Sequence, residues 1–359
     1  MYIATCEATP NIAMIKYWGK RDEKLLLPQE GSISATMDEQ LKTRTTVMFS
    51  EDFTEDEIIL NNKKLEGKDL EETLKQINVI RNKADKKNLK VKIVSINCFP
   101  TAAGFASSAS GFAALAVAAA NALGMNSDSK ELSILSRLGS GSACRSVLGG
   151  FVEWKKGEKA DGSDSYAVQI APASHWQEMR NVIAITAPEK KKVSSRSGMK
   201  QTIETSTLYP ARLEYLPGII EKTRSAILKK DLPSLLEIIM RESSNMHATM
   251  LDTWPPIMYL NDISKQIIYA IINYNDSVGE IRAGYTFDAG PNAHIYTLEK
   301  YVPEVKKALE NVEGIQRVMV CKIGNGPKIL TNEKDHLIDE KGNTRKHHFD
   351  ENQQKIIVE

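Results

Sequence analysis

Three short segments carry the side chains best suited to chemistry on an anionic molecule. Lys16 and Lys20 lie four residues apart in NIAMIKYWGKRD and would share one face if that segment is helical. Arg145 stands in GSGSACRS, where a guanidinium framed by glycine and serine suits a carboxylate or phosphate. Asp288 lies in TFDAGPNA. Each has a structural interpretation too, because lysines in apolar runs commonly reach the surface and aspartates commonly form turns.

A fourth segment, PTAAGFASSASGFAAL at residues 100–115, joins an apolar strand pattern to an alanine-rich helix that ends at Gly124. Its small residues let a backbone approach a ligand closely, and they include Ala102, Ala103, Gly104, Ala106 and Ala109. A helix N-terminus offers unpaired N–H groups, and Ser107 and Ser108 add hydroxyls. Alone, the segment fits a phosphate cradle and a packed helix start equally. The four segments together favour a phosphorylated substrate with a hydroxyl to be activated.

The elements that must position these side chains alternate between strand and helix patterns without a regular βαβ rhythm. Residues 43–49 and 57–62 predict a β-pair, and residues 341–355 are polar and predict a loose end. Further strands are predicted at residues 91–96, 151–154 and 179–186. Residues 285–298 predict a strand–turn–strand unit, and residues 318–330 a late strand with a Gly-Pro turn. Helices are predicted at residues 68–84, 111–124, 127–137, 212–244 and 257–275. The pattern favours an α+β protein with two lobes, spanning residues 1–180 and 181–359.

Composition narrows the class of protein. The chain has 359 residues with a formal net charge of +1, which gives no reason to expect a nucleic acid or an acidic membrane as partner. No apolar stretch is long enough to span a bilayer, and the N-terminus lacks the plan of a secretory signal. The four cysteines are widely spaced without a CxxC pair, which predicts reduced thiols, a cytoplasmic location and no zinc or other metal-ligand site.

Five motifs in register resemble the mevalonate diphosphate decarboxylases, members of the small-molecule kinase (GHMP-type) group that includes galactokinase, homoserine kinase and mevalonate kinase. The motifs are NIAMIKYWGKRD, FPTAAGFASSASGFAAL, GSGSACRSVLGGFVEW, HATMLDTWPPIMYLN and YTFDAGPNAH. The resemblance implies a two-lobed α+β fold with a deep cleft between the lobes. It also implies a reaction in which ATP, with Mg²⁺, phosphorylates the 3-hydroxyl of mevalonate 5-diphosphate. Loss of that phosphate and of CO₂ then gives isopentenyl diphosphate. A homodimer is expected from the same likeness.

The resemblance assigns roles to particular residues. Asp288 matches the aspartate that orients or deprotonates the 3-hydroxyl, Lys16 the lysine beside it, and Arg145 the arginine that holds the substrate carboxylate. The expected ATP-binding positions are Asn97, Gly104, Ser107, Ser108 and Ala109. The expected substrate contacts, besides Arg145, are Tyr17, Lys20, Ser140, Ser142, Ser195 and Met199.

Several positions depart from the family pattern. The departures are Glu30 for asparagine, Cys98 for asparagine, Phe105 for leucine, Ser110 for alanine and Arg196 for threonine. Asp69 stands where the family carries an arginine for the substrate's diphosphate, and neighbouring Lys68 is a candidate substitute. These changes leave other substrates open: mevalonate 5-phosphate, or mevalonate 3,5-bisphosphate without ATP. A pure 3-kinase and a non-catalytic sensor of a phosphorylated metabolite are disfavoured, because Lys16, Arg145 and Asp288 are all present.

Overall fold

The computed structural model describes residues 2–98, 107–187, 192–351 and 353–359, which contain eighteen strands and eight α-helices. The strands are β1 (Tyr2–Ala8), β2 (Asn11–Ile15), β3 (Lys20–Asp22), β4 (Leu27–Pro28), β5 (Ser32–Thr36), β6 (Thr43–Ser50), β7 (Glu57–Leu60), β8 (Lys63–Lys64), β9 (Lys90–Asn97), β10 (Phe151–Trp154), β11 (Ala167–Ala171), β12 (Met179–Thr186), β13 (Ala283–Phe287), β14 (Ala293–Leu298), β15 (Ile315–Lys322), β16 (Lys328–Leu330), β17 (His347–Asp350) and β18 (Lys355–Val358). The helices are α1 (Gly67–Lys83), α2 (Ser107–Ala122), α3 (Ser129–Arg137), α4 (Ser195–Thr205), α5 (Tyr209–Lys229), α6 (Leu232–Leu251), α7 (Asp262–Val278) and α8 (Val302–Glu310).

A six-stranded sheet forms the first layer, in the order β16-β1-β6-β9-β7-β8. Alternate residues of β1, such as Ala4 and Cys6, pack with Val47 of β6 and with the alanines of α2 in one buried cluster. β9 lies between β6 and β7, so the predicted pairing of residues 43–49 with 57–62 is wrong. β6 and β7 do not pair with each other, although they are neighbours in sequence. Each pairs with β9, because β9 supplies the apolar strand that both edges need.

The opposite face of this sheet is covered by the end of the chain. β16 pairs antiparallel with β1, and β17 and β18 form a hairpin whose Ile356 packs on Met48, Val94 and Ile96. The prediction of a loose end is therefore wrong. Its polar composition hides an alternation in which every second residue of the hairpin faces the sheet.

Two four-stranded sheets and the long helices build the rest of the core. The sheet β11-β10-β5-β2 meets the sheet β13-β14-β12-β15 through a cluster that includes Ile12, Ile33, Ile183 and Tyr296, closed by Leu235 of α6. The far face of the second sheet packs on α7 and α8. This packing brings the ends of β2 and β13 towards each other. The mixed layers confirm the expected α+β class.

The helix predictions hold with one exception. α1, α2, α3 and α7 lie where their sequence patterns predict helices, and Gly124 follows α2 in a left-handed conformation. The single helix predicted over residues 212–244 is two helices, because Lys230 adopts a left-handed conformation and Asp231 caps α6 by accepting from the Ser234 amide.

Docking of the C-terminal hairpin predicts a stability cost for a substitution in it. Ile356→Ala removes a side chain buried against the first sheet, and should lower the free energy of unfolding by about 2 to 5 kcal/mol. Urea denaturation measures the change. Lys355→Ala, one residue away and exposed, is the matched control. Equal stabilities for the two variants would contradict the docked position.

Candidate active site

A lysine–aspartate pair lies where β2 and β13 end. The Lys16 Nζ donates to Asp288 Oδ1 at 2.7 Å, and the exposed fractions of the two side chains are 1% and 41%. The lysine is thus buried behind an aspartate whose carboxylate remains open to a ligand. The segment is a strand followed by a loop, so Lys16 and Lys20 do not share a helix face. Lys20 instead pairs with Glu23 at 2.6 Å.

Burial and the neighbouring charges shift the pKa values of this pair in opposite directions. Burial lowers the pKa of Lys16, and the charge of Asp288 offsets part of that effect. Burial would raise the pKa of Asp288, but the charge and hydrogen bond of Lys16, together with the charge of Arg145, outweigh it, so the pKa of Asp288 is lowered. Asp288 is therefore a carboxylate at neutral pH, held beside a desolvated cation.

The position of Lys16 is fixed through its backbone. Its N–H donates to Glu242 Oε1 at 3.0 Å, and its carbonyl accepts from Arg212 Nη2 at 3.2 Å. Arg212 of α5 and Glu242 of α6 also form a fully buried ion pair at 2.5 Å. Sequence reasoning missed both residues. The available signal was a charged residue on the apolar face of each helix, which is rare unless the charges are paired.

Arg145 belongs to a short 3-10 turn at Gly141–Arg145 and is buried. Its Nε donates to Asn11 Oδ1 at 3.0 Å and to Ser34 Oγ at 2.9 Å, and its Nη1 donates to Ser32 Oγ at 2.5 Å. Among the described residues, no hydrogen bond uses Nη2. The guanidinium is therefore locked on one side by neutral acceptors, and its other end can bind a carboxylate.

Hydroxyl groups gather beside this turn. Ser140 Oγ lies 3.4 Å from Ser108 Oγ at the start of α2, and 3.3 Å from Ser142 Oγ. The Tyr17 hydroxyl is buried and has no hydrogen-bond partner within the described ranges. A Cβ at position 141 would lie 2.9 Å from the Tyr17 ring, so this close approach requires glycine. The cluster offers several donors to an anionic group.

The remaining predicted site residues are only partly described. Asn97 accepts from the Thr43 hydroxyl, and its N–H donates to Asn61. Ala109 is buried in the first turn of α2. Gly104 and Phe105 lie outside the described residues, as does the side chain of Ser107.

Helix α4 brings three more residues towards the turn that carries Arg145. Met199 is buried in a cluster with Trp18 and Tyr259, and Ser195 opens the helix, half-buried. Arg196 reaches across to α1, where Nη1 pairs with Glu72 Oε2, and its Nη2 lies 3.3 Å from the Gly139 carbonyl oxygen. Arg196 thus adds a cation next to the serine hydroxyls.

The other departures from the family pattern lie away from this cluster or are buried. Glu30 accepts from the Gly31 N–H at 2.9 Å and lies 3.8 Å from Lys156 Nζ. Asp69 is exposed in the first turn of α1. Cys98 is buried, and burial raises the pKa of its thiol to about 12, which keeps it unreactive. Ser110 shares a hydrogen bond with Thr43 at 2.7 Å inside the fold.

Two buried imidazoles flank the lysine–aspartate pair. His247 of α6 and His294 of β14 each have a pKa lowered to about 4, mainly by burial, with the Lys16 charge adding to the effect. Asn181 Nδ2 lies 3.2 Å from His294 Nδ1. Both rings are therefore neutral near pH 7, which leaves Lys16 as the cation in direct contact with Asp288.

Among the described residues, no group of three or more histidine, cysteine, aspartate or glutamate side chains is arranged to hold a metal ion. No helix in the described part of the chain has the length and apolar character needed to cross a membrane.

Comparison with known proteins gives family matches over most of the chain. Residues 8–167 match the diphosphomevalonate decarboxylase-like N-terminal domain, and residues 181–313 match the mevalonate 5-diphosphate decarboxylase C-terminal domain. The human diphosphomevalonate decarboxylase is 43% identical, with 93% of this chain and 95% of that protein covered.

Two solved structures extend the comparison to the fold. The mevalonate diphosphate decarboxylase from Staphylococcus aureus superposes with a TM-score of 0.86 at 36% identity, covering 92% of this chain and 98% of that one. A structure described as MDDEF in complex with MVAPP, AMPPCP and magnesium gives a TM-score of 0.84 at 38% identity, covering 92% and 99%. The chain belongs to the mevalonate diphosphate decarboxylase family, with the small-molecule kinase fold that its motifs predict.

Proposed function

We propose that this chain catalyses the ATP-dependent decarboxylation of mevalonate 5-diphosphate to isopentenyl diphosphate. The observation that carries the proposal is the open carboxylate of Asp288, paired with buried Lys16 and within the field of Arg145. That arrangement offers a carboxylate to a substrate hydroxyl and cations to the phosphoryl and carboxylate groups beside it. The proposed reaction belongs to isoprenoid biosynthesis by the mevalonate pathway.

In the first step, Asp288 orients the 3-hydroxyl of the substrate. Its lowered pKa makes it a weak base, so it accepts the hydroxyl proton late, as the oxygen bonds to the γ-phosphorus of ATP. The bond between that phosphorus and the β-phosphate oxygen breaks, and ADP leaves. Lys16 keeps Asp288 ionised and neutralises negative charge on the phosphoryl group as it is transferred.

In the second step, the 3-phosphate leaves with the electrons of the C3–O bond, and the carboxylate loses CO₂. The electrons of the broken carbon–carboxylate bond form the new double bond. Arg145 would hold the carboxylate through Nη2 while Asn11, Ser32 and Ser34 fix its other edge. A fixed guanidinium keeps the breaking bond aligned with the leaving phosphate.

The diphosphate end would lie among the hydroxyl groups. Tyr17, Ser140 and Ser142 supply hydroxyl donors, and Lys20 supplies a cation. Arg196 supplies a further cation from α4, on the side where Asp69 replaces the family's arginine. Ser195 and Met199 of the same helix would line the substrate between its two ends.

ATP is assigned to the start of α2. Asn97, Gly104, Ser107, Ser108 and Ala109 are proposed to contact the nucleotide, with N–H groups of the first turn directed at phosphate. Mg²⁺ would be held mainly by phosphate oxygens and water, and the Ser108 hydroxyl is proposed as one protein oxygen that would contact it. The ion supplies neutralisation of the charge on the transferring phosphoryl group.

A cytoplasmic location and a homodimer complete the proposal. All four cysteines are free and buried, as expected in a reducing compartment. Leu208, Leu251, Trp254 and Met258 are apolar side chains near the end of α6 with exposed fractions of 48, 49, 74 and 72%, and they are proposed to form one apolar patch. The Leu208 N–H donates to Asp252, which places the start of α5 beside the end of α6. A second copy of this chain would cover it. The lobe boundary near residue 180 remains part of the proposal.

Turnover of defined substrates tests the reaction. With mevalonate 5-diphosphate and ATP, the purified protein should release CO₂ and ADP in equal amounts, and no CO₂ without ATP. Asp288→Asn should lower kcat by about 10²- to 10⁴-fold, because the amide cannot accept the hydroxyl proton. CO₂ release from mevalonate 3,5-bisphosphate alone, or unchanged turnover by Asp288→Asn, would contradict the proposal.

A paired substitution separates catalysis from folding. Asp288→Asn leaves Lys16 buried without its counter-charge and should lower stability. Adding Lys16→Met removes the unpaired buried charge. The double variant should therefore regain the free energy of unfolding that Asp288→Asn loses, while its activity stays lost. Recovery of activity together with stability would contradict a catalytic role for the pair.

The neutral imidazoles predict a loss of stability in mild acid. An unfolded histidine protonates near pH 6.5, whereas folded His247 and His294 protonate at about 4, so the unfolded state binds more protons between these values. Stability should be full above pH 6.5 and fall towards pH 4, by up to about 3 kcal/mol per ring. Urea denaturation at both ends of this range measures it. His294→Gln should flatten the pH dependence, and exposed His348→Gln should not.

The apolar patch predicts a monomeric variant. Trp254→Asp should halve the mass measured by light scattering, because a charge placed in the patch opposes burial against a second copy. Leu228→Asp is the matched control: its side chain is 50% exposed at the opposite end of α5, about 30 Å from Leu208. A dimeric Trp254→Asp would place the interface elsewhere.

A further inference from the structure

Arg196 is held in the structure by a partner that belongs to the other half of the chain. Its guanidinium pairs with Glu72 on α1, and Lys68 Nζ lies 3.9 Å from Glu72 Oε1. One carboxylate therefore lies between two cations, at the edge of the serine hydroxyl cluster. The exposed fractions of Arg196 and Glu72 are 50% and 27%, so both remain accessible to solvent and to a ligand.

The rest of α4 is anchored independently of this contact. Gly198 and Met199 are buried, and Thr202 accepts from the Trp18 indole N–H at 3.0 Å. The helix also begins with a cap in which Ser194 accepts from the Ser197 N–H. The Glu72 contact therefore positions the Arg196 side chain and not the helix itself.

We propose that Glu72 competes with the substrate for Arg196, and thereby sets the affinity for the diphosphate end of the substrate. This inference rests on the proposed function. A phosphate and a carboxylate bind the same fork of a guanidinium, so Arg196 cannot give that fork to both. The incoming diphosphate displaces Glu72, and only a group with more charge than a carboxylate does so readily.

The size of the effect follows from the exposure of the pair. Ion pairs with solvent-exposed side chains contribute little, and the competition is correspondingly modest. Removing the competing carboxylate should tighten binding by about two- to fivefold. ATP, whose proposed site lies at the start of α2, does not use Arg196, so its binding should not change.

Glu72→Gln tests the competition directly. The amide keeps the size of the side chain and loses the charge, so the KM for mevalonate 5-diphosphate should fall about two- to fivefold, with kcat and the KM for ATP unchanged. Glu71→Gln is the matched control, because Glu71 is the adjacent exposed carboxylate on α1 and forms no ion pair within the described residues. A raised or unchanged KM for Glu72→Gln would overturn the inference.

A double-mutant cycle identifies the cation concerned. Arg196→Gln should raise the KM for mevalonate 5-diphosphate. It should also abolish the effect of Glu72→Gln, because the guanidinium for which Glu72 and the diphosphate compete is gone. Lys68→Gln should leave the effect of Glu72→Gln intact. If Glu72→Gln still lowers the KM in the Arg196→Gln background, Arg196 is not the contested group and the inference fails.

Inorganic pyrophosphate keeps this test separate from that of the reaction. Calorimetric titration should show about two- to fivefold tighter binding of pyrophosphate to Glu72→Gln than to the unaltered protein, whether or not mevalonate 5-diphosphate is turned over. Equal affinities would overturn the competition while leaving the proposed reaction standing. Tighter binding without turnover of mevalonate 5-diphosphate would support the competition and contradict the reaction.

Discussion

The buried charge of Lys16 is the constraint on which the site depends. An ammonium group removed from water requires a counter-charge, and Asp288 supplies it from a position directly after β13, 272 residues further along the chain. The two halves of the chain must therefore pack correctly before either residue is stable in its place. The Arg212–Glu242 pair strengthens this requirement, because it binds the Lys16 backbone from two helices at once.

The Lys16–Asp288 pair explains how the site keeps one strong positive charge near the reacting hydroxyl. Desolvation lowers the pKa of Lys16 and so disfavours its charged form, and two neighbouring imidazoles would add positive charge if they were protonated. Burial keeps those rings neutral, so Asp288 retains one direct cationic partner and one open face. Arg145 adds its field from a separate frame of neutral acceptors, which leaves its charge available to a ligand.

Much of the fold follows from local pattern. The apolar periodicity of α1, the alanine- and leucine-rich composition of α2, the cap of α3 and the apolar run at residues 182–185 of β12 each specify their element. The insertion of β9 between β6 and β7 does not follow, because strand order depends on tertiary packing. The C-terminal hairpin was hidden by its polar face. That Lys16 and Asp288 lie together could be expected from their motifs. A charged residue on an apolar helix face marks Arg212 and Glu242 as paired, but their contact with the Lys16 backbone is visible only once both helices meet β2.

The positive charge at the diphosphate end shows how a site can conserve its electrostatics while its residues change. The resemblance places an arginine on α1, and this chain has Asp69 there and Arg196 on α4. Arg196 lies against Gly139, next to the serine hydroxyls, and pairs with Glu72 of α1, so α1 and α4 meet at this edge of the site. The exchange has a consequence for α1: its Glu72 carboxylate now pairs with a cation of α4. In the proposed competition, binding of the diphosphate changes this contact between α1 and α4, which a cation on α1 alone would not do.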